Sequence, residues 1–72
     1  MGFLKVNNKF IIFGIKNNKT LYLYKIENNK ENNFILHIFT TSLKNAYIFK
    51  SMKDAQKTLK ILNEKGFKIL KQ

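Results

Sequence analysis

The sequence predicts an α+β fold: a small antiparallel β-sheet with one helix packed on one face. Three observations carry that expectation. Runs of strand length, rich in β-branched and aromatic residues, fill the first two-thirds of the chain. Paired asparagines punctuate them, and a helical period takes over after Ser51. The expected order is β-β-β-β-β-α-β, about five to six strands in a single domain over residues 1–72.

Residues 3–6 read as a short first strand, residues 9–16 as a second and residues 20–27 as a third. Asn17 and Asn18 fall between the last two. Asparagine tolerates the left-handed backbone and bonds its own main chain, so the pair predicts a tight hairpin turn. Residues 28–33, with two more asparagine pairs, form a polar loop. Residues 34–41 are the fourth strand, residues 42–45 a turn and residues 46–50 the fifth strand.

At Ser51 the period changes. Ser51 can cap a helix, and Asp54 places an acid near its positive end. Met52, Ala55, Leu59 and Leu62 recur on one helical stripe. Gly66 suits a left-handed helix end, with Lys65 in the last turn. Residues 67–70 make the final strand.

A chain of 72 residues buries only about 60% of its unfolded surface, so the core is thin. Even so, 44% of the residues are apolar, with seven Phe and three Tyr, which suits a folded core rather than disorder. There is no cysteine to form a disulfide or a thiolate metal site, which fits a reducing, cytoplasmic setting. The longest apolar run covers residues 10–15, far short of the ~20 residues of a membrane-crossing helix. Lys5 and the Asn7-Asn8-Lys9 cluster break up the beginning as a signal peptide, and Val6 stands where myristoylation wants Ser or Thr.

Residues 10–15 and 34–39 are apolar on both alternating faces, interrupted mainly by Gly14 and His37. One helix covers only one sheet face. The excess predicts a homodimer, with a twofold contact using the same sheet surface on both copies. A strongly curled sheet that covers itself is the competing explanation.

Charge narrows the partner. Fourteen lysines stand against four acids and no arginine, a net charge of +10. Such a surface attracts polyanions. Lysine is a point charge without the planar fork with which arginine reads guanine, so backbone or shape recognition is expected over base reading. Compositional drift is the competing explanation of the excess, since Lys, Asn, Ile, Phe and Tyr dominate chains from AT-rich genomes. Lys53, Lys57 and Lys60 share a helix face roughly opposite the apolar stripe, where they can track phosphates or simply stay solvated. By alternation, Tyr22, Tyr24 and Ile26 share one face of the third strand, and Leu21, Leu23 and Lys25 the other. Lys16, Lys19 and Lys25 surround them. Tyrosines among lysines can stack bases while the charges hold the backbone, although strand tyrosines also serve packing. The glycine of residues 9–14, KFIIFG, is misplaced for an RNA-recognition-motif sheet.

Catalysis is poorly supplied. His37, the single histidine, sits in an apolar strand and reads as a structural, hydrogen-bonded residue. Asp54 is explained by the helix start, Glu64 by Lys60 four residues before it, and Glu27 and Glu31 by the loop they flank. No spacing suggests a metal, and Gly2, Gly14 and Gly66 are too scattered to cradle a phosphate. No catalytic residue, metal or cofactor is expected.

The segment Tyr47-Ile48-Phe49-Lys50-Ser51-Met52-Lys53-Asp54-Ala55, then Leu59, Leu62 and Gly66-Phe67-Lys68-Ile69, resembles the ending of many small phage and prophage accessory proteins. The shared pattern is a strand ending in Phe, a Ser cap, an acid-Ala pair, one helix, a glycine and a last strand. It covers the C-terminal third and carries no functional residues. The resemblance implies a non-enzymatic protein of a mobile element, acting in the host cytoplasm if a phage encodes it. That class includes anti-CRISPR inhibitors. Many of those are acidic mimics of nucleic acid; the opposite sign here implies action on the RNA-bearing part of a nuclease complex or on an acidic protein surface. Three functions are therefore expected to compete: binding of RNA or a ribonucleoprotein through lysines, inhibition of an RNA-guided host nuclease, and structural homo-oligomerisation.

Overall fold

A computed structural model of the chain describes residues 9–62 and 66–72. Strands β1 (Phe10–Lys16), β2 (Lys19–Asn29) and β3 (Phe34–Thr40) lead through a 3-10 turn at Leu43–Asn45 to helix α1 (Met52–Leu62) and strand β4 (Phe67–Lys71). The strands form one antiparallel sheet in the order β3-β2-β1-β4. The α+β class is as expected, but the described residues contain four strands rather than five to six. The strand expected at residues 3–6 lies outside the described residues.

Residues 46–50 correct the expected fifth strand. They make only one isolated bridge, Phe49 to Phe10. β1 and β2 pair from the Lys16–Lys19 end up to Phe13 and Tyr22. Beyond that pair, other partners take the backbone groups of both strands. The Tyr47 N–H donates to the Leu23 carbonyl at 2.7 Å, and Phe49 exchanges bonds of 2.8 and 2.9 Å with Phe10. The segment thus wedges between the two strands where they part, satisfying backbone groups that would otherwise be orphaned. Ala46 and Phe49 are buried as strand residues would be, whereas Tyr47 and Ile48 are exposed.

The turns follow their asparagines. Asn17 and Asn18 have φ of 52° and 63°, the left-handed pair that a two-residue hairpin needs to match strand twist. Asn33 (φ 50°) closes the longer β2–β3 connection, which Asn29 opens by accepting from the Glu31 N–H at 3.0 Å. At the helix start Ser51 Oγ accepts from the Asp54 N–H at 3.2 Å, the expected cap. Gly66 has φ +89°, the left-handed conformation expected of it.

A β-bulge between Leu23 and Lys25 overturns the simple alternation along β2. Leu23 pairs with Phe39, Lys25 with Ile38 and Ile26 with His37, so Tyr24 is the inserted residue. One extra residue flips every later side chain to the other face. Ile26 therefore joins Leu23 on the helix side, where both pack on the core, and Lys25 moves to the far side with Tyr22.

The core lies between the sheet and α1. Phe10, Ile12, Leu23, Phe49, Ala55 and Phe67 are buried there, with Leu59, Leu62, Phe39 and Ile69 packed around them. Met52 is the exception in the expected stripe and is exposed. Gly14 has a local reason: a Cβ there would meet the Phe67 ring at 2.8 Å. That ring also sits 5.1 Å from the Phe39 ring and under the Lys16 ammonium at 5.6 Å. The apolar excess expected on two strands is resolved differently on each. In β1, Phe10, Ile11 and Ile12 are buried and Phe13 half-buried; in β3, Phe34, Ile35 and Leu36 are exposed.

Those exposed residues belong to an arm. Past the bulge, Lys25–Asn29 pairs with 34–38 and, among the described residues, with no other strand, because β1 has already left β2. Five pairs at strand rise make a two-stranded ribbon about 17 Å long. The radius of gyration, 13.8 Å, exceeds the roughly 11 Å of a compact chain of this length, and the longest extent is 51 Å.

Candidate nucleic-acid interface

The expected site residues fall into three groups rather than one. Lys53, Lys57 and Lys60 stand exposed on the outside of α1, where the helical period put them. Lys16 and Lys19 face each other across the β1–β2 turn, on the helix side of the sheet. Tyr22 and Lys25 lie on the far side, with Tyr24 in the bulge beside them. Tyr22 is half-buried, Tyr24 is exposed, and Lys25 Nζ pairs with Glu27 Oε1 at 3.1 Å. The bulge and the two sheet faces thus separate the tyrosines from Lys16 and Lys19, so no single platform unites them.

The structure adds two residues that sequence reasoning passed over. Where the arm leaves the body, an open groove of about 410 Å³ runs between β2, the wedge and the first half of α1. Ile26 and Phe49 contribute apolar lining, Tyr47 an aromatic ring, and Lys50 and Lys57 two charges; Asp54 also lines it. Tyr47 is 43% exposed, with its ring 4.7 Å from that of Phe49 at a tilt of 54°. The groove continues into the helix row through Lys57, a member of both. An exposed ring in a groove that two lysines also line can stack a base while the lysines meet its phosphates. The only hint in the sequence was the YIFK run, which reads as a strand.

Acids are sparse along this stretch. Asp54 is the one acid of α1, at its N-terminal turn where the helix dipole favours it. Two of the four acids, Glu27 and Glu31, lie instead on the arm with Lys25 and Lys30, so the arm is neutral by sequence. All of the +10 charge belongs to the rest of the chain.

His37 is half-buried on the helix side opposite Ile26, and among the described residues its imidazole makes no side-chain hydrogen bond to another residue. Among the described residues no group of three or more His, Cys, Asp or Glu is placed to hold a metal, and no helix is long and apolar enough to cross a membrane. No protein-family model, curated protein or solved structure matches this chain.

Proposed function

We propose that this protein binds RNA, free or within a ribonucleoprotein, through the lysines of α1 and the adjoining groove, without catalysis. One observation carries the reading: Lys53, Lys57 and Lys60 line the open side of the helix and run into a groove holding Lys50 and an exposed Tyr47. Lysine–phosphate contacts release counterions, so affinity falls with salt in proportion to the contacts made. The mild base preference expected of lysine follows, sharpened only where Tyr47 stacks an unpaired base.

The test is the triple replacement of Lys53, Lys57 and Lys60 by Gln, titrated against a single-stranded RNA over a range of salt. All three are exposed, so the fold survives. The plot of log affinity against log salt should flatten by about two units, at roughly 0.7 per lost contact. An unchanged slope would refute the helix row.

The same lysines would serve an inhibitor that holds an RNA-guided nuclease by its RNA, the role implied by the phage-protein resemblance. In that case the free RNA arm of the test shows no binding, and a nuclease–RNA complex does. We also propose that the chain acts as a homodimer in the cytoplasm. The apolar residues left exposed on β3 support that part of the reading.

A further inference from the structure

We propose that the outer edge of β3 is where a second copy of this chain docks, the two β3 strands pairing antiparallel across a twofold axis. The inference rests on the homodimer reading and gives it a surface, different from a face-to-face sheet contact.

β3 is an outer strand of the sheet, so one row of its backbone N–H and C=O groups has no strand beside it among the described residues. Exposed edges normally carry a device against pairing: a lysine, a proline, a bulge or short length. The opposite edge conforms, because β4 has five residues and carries Lys68 and Lys71. β3 does not. Its seven residues, FILHIFT, include no Lys and no Pro, and the bulge lies on β2. Phe34, Ile35 and Leu36 are 54%, 44% and 43% exposed, on both faces of the strand.

Charge selects the occupant. Two chains of +10 repel wherever lysines meet, and β3 is the one described strand without a lysine. Among the described strands a second copy meets the least repulsion there. Centred on His37, a twofold pair sets Leu36 opposite Ile38 and Phe34 opposite Thr40 on one face, and Ile35 opposite Phe39 on the other. Phe34, Ile35, Leu36, Ile38 and Phe39 supply most of that contact, with Thr40 opposite Phe34 and the two His37 residues opposite each other on the axis. Backbone pairing of this kind extends one four-stranded sheet into an eight-stranded one.

Light scattering on the full chain at tens of micromolar tests this, with Ile35→Lys/Leu36→Lys as the disrupting variant and Ile15→Lys as the control. Ile15 is 65% exposed on β1, so the control adds charge to an apolar site elsewhere. The wild type and the control should have twice the 8.5 kDa chain mass, and the β3 variant the single mass with an unchanged circular dichroism spectrum. A β3 variant that stays dimeric would overturn the edge and leave the homodimer reading standing. A monomeric wild type would overturn both, whether the edge is then bare or taken by another protein's strand.

Discussion

The body and the arm of this protein are built from the same kinds of residue and put them to opposite uses. In the body Phe10, Phe49 and Phe67 turn inward and are buried, and the lysines stand outside them. In the arm Phe34 and its neighbours are exposed, and the two lysines are matched by two glutamates. The difference traces to one place. β1 parts from β2 after Tyr22, the wedge takes over the bonds, and β2 and β3 continue alone. Ile26 at the arm's base still packs on the core, but among the described residues nothing covers Phe34, Ile35 and Leu36 beyond it, and an isolated hairpin is marginally stable in water. The lesson is that the body can carry a large unbalanced charge because its core holds it together, whereas the arm cannot.

The sharpest way to break the comparison is to remove the body's keystone. Phe67 covers Gly14, touches Phe39 and lies under Lys16. Phe67→Ala should cost about 3–5 kcal/mol, most of the stability of a domain this small. A melting curve followed by circular dichroism should show the cooperative transition lost or moved below room temperature. Survival of a normal transition would mean that the arm, not the body, sustains the fold.

A smaller effect is expected at the groove proposed to hold RNA. Tyr47→Ala should weaken single-stranded RNA binding by about 1–3 kcal/mol, the usual worth of one stacked base, with the salt slope unchanged. Tyr24→Ala, in the bulge on the far side of the sheet, should leave affinity as it was. Equal losses from both would erase the distinction between groove and bulge.

The smallest effect concerns the helix start. Ser51→Ala removes the 3.2 Å bond to the Asp54 N–H and should lower stability by about 1 kcal/mol. The loss should appear as a modest drop in melting temperature, with the dimer mass retained. A change in oligomeric state instead would tie α1 to the interface assigned to β3.

Much of the body was legible in the sequence, because its signals are local. Ser51, the Ala55/Leu59/Leu62 stripe and Gly66 define α1 within a few residues of one another, and Asn17-Asn18 is sufficient for a tight hairpin. What escaped depends on partners distant in the chain. Tyr24 becomes a bulge only because β3 skips it, and that skip decides which side Lys25 and Ile26 face. Residues 46–50 have strand-like composition, yet their bonds go to Leu23 and Phe10, a gap that exists only once β1 and β2 diverge. The site was half legible for the same reason. Helical period alone aligned Lys53, Lys57 and Lys60, whereas bringing Lys50 and Tyr47 beside Lys57 required the wedge.

If the protein binds RNA as proposed, body lysines rather than arm lysines hold the polyanion. The direct test compares the salt dependence of single-stranded RNA affinity for the wild type, Lys53→Gln/Lys57→Gln/Lys60→Gln and Lys25→Gln/Lys30→Gln. The body variant should flatten the slope by about two units, and the arm variant should superimpose on the wild type. A slope lowered by the arm variant and untouched by the body variant would contradict the account.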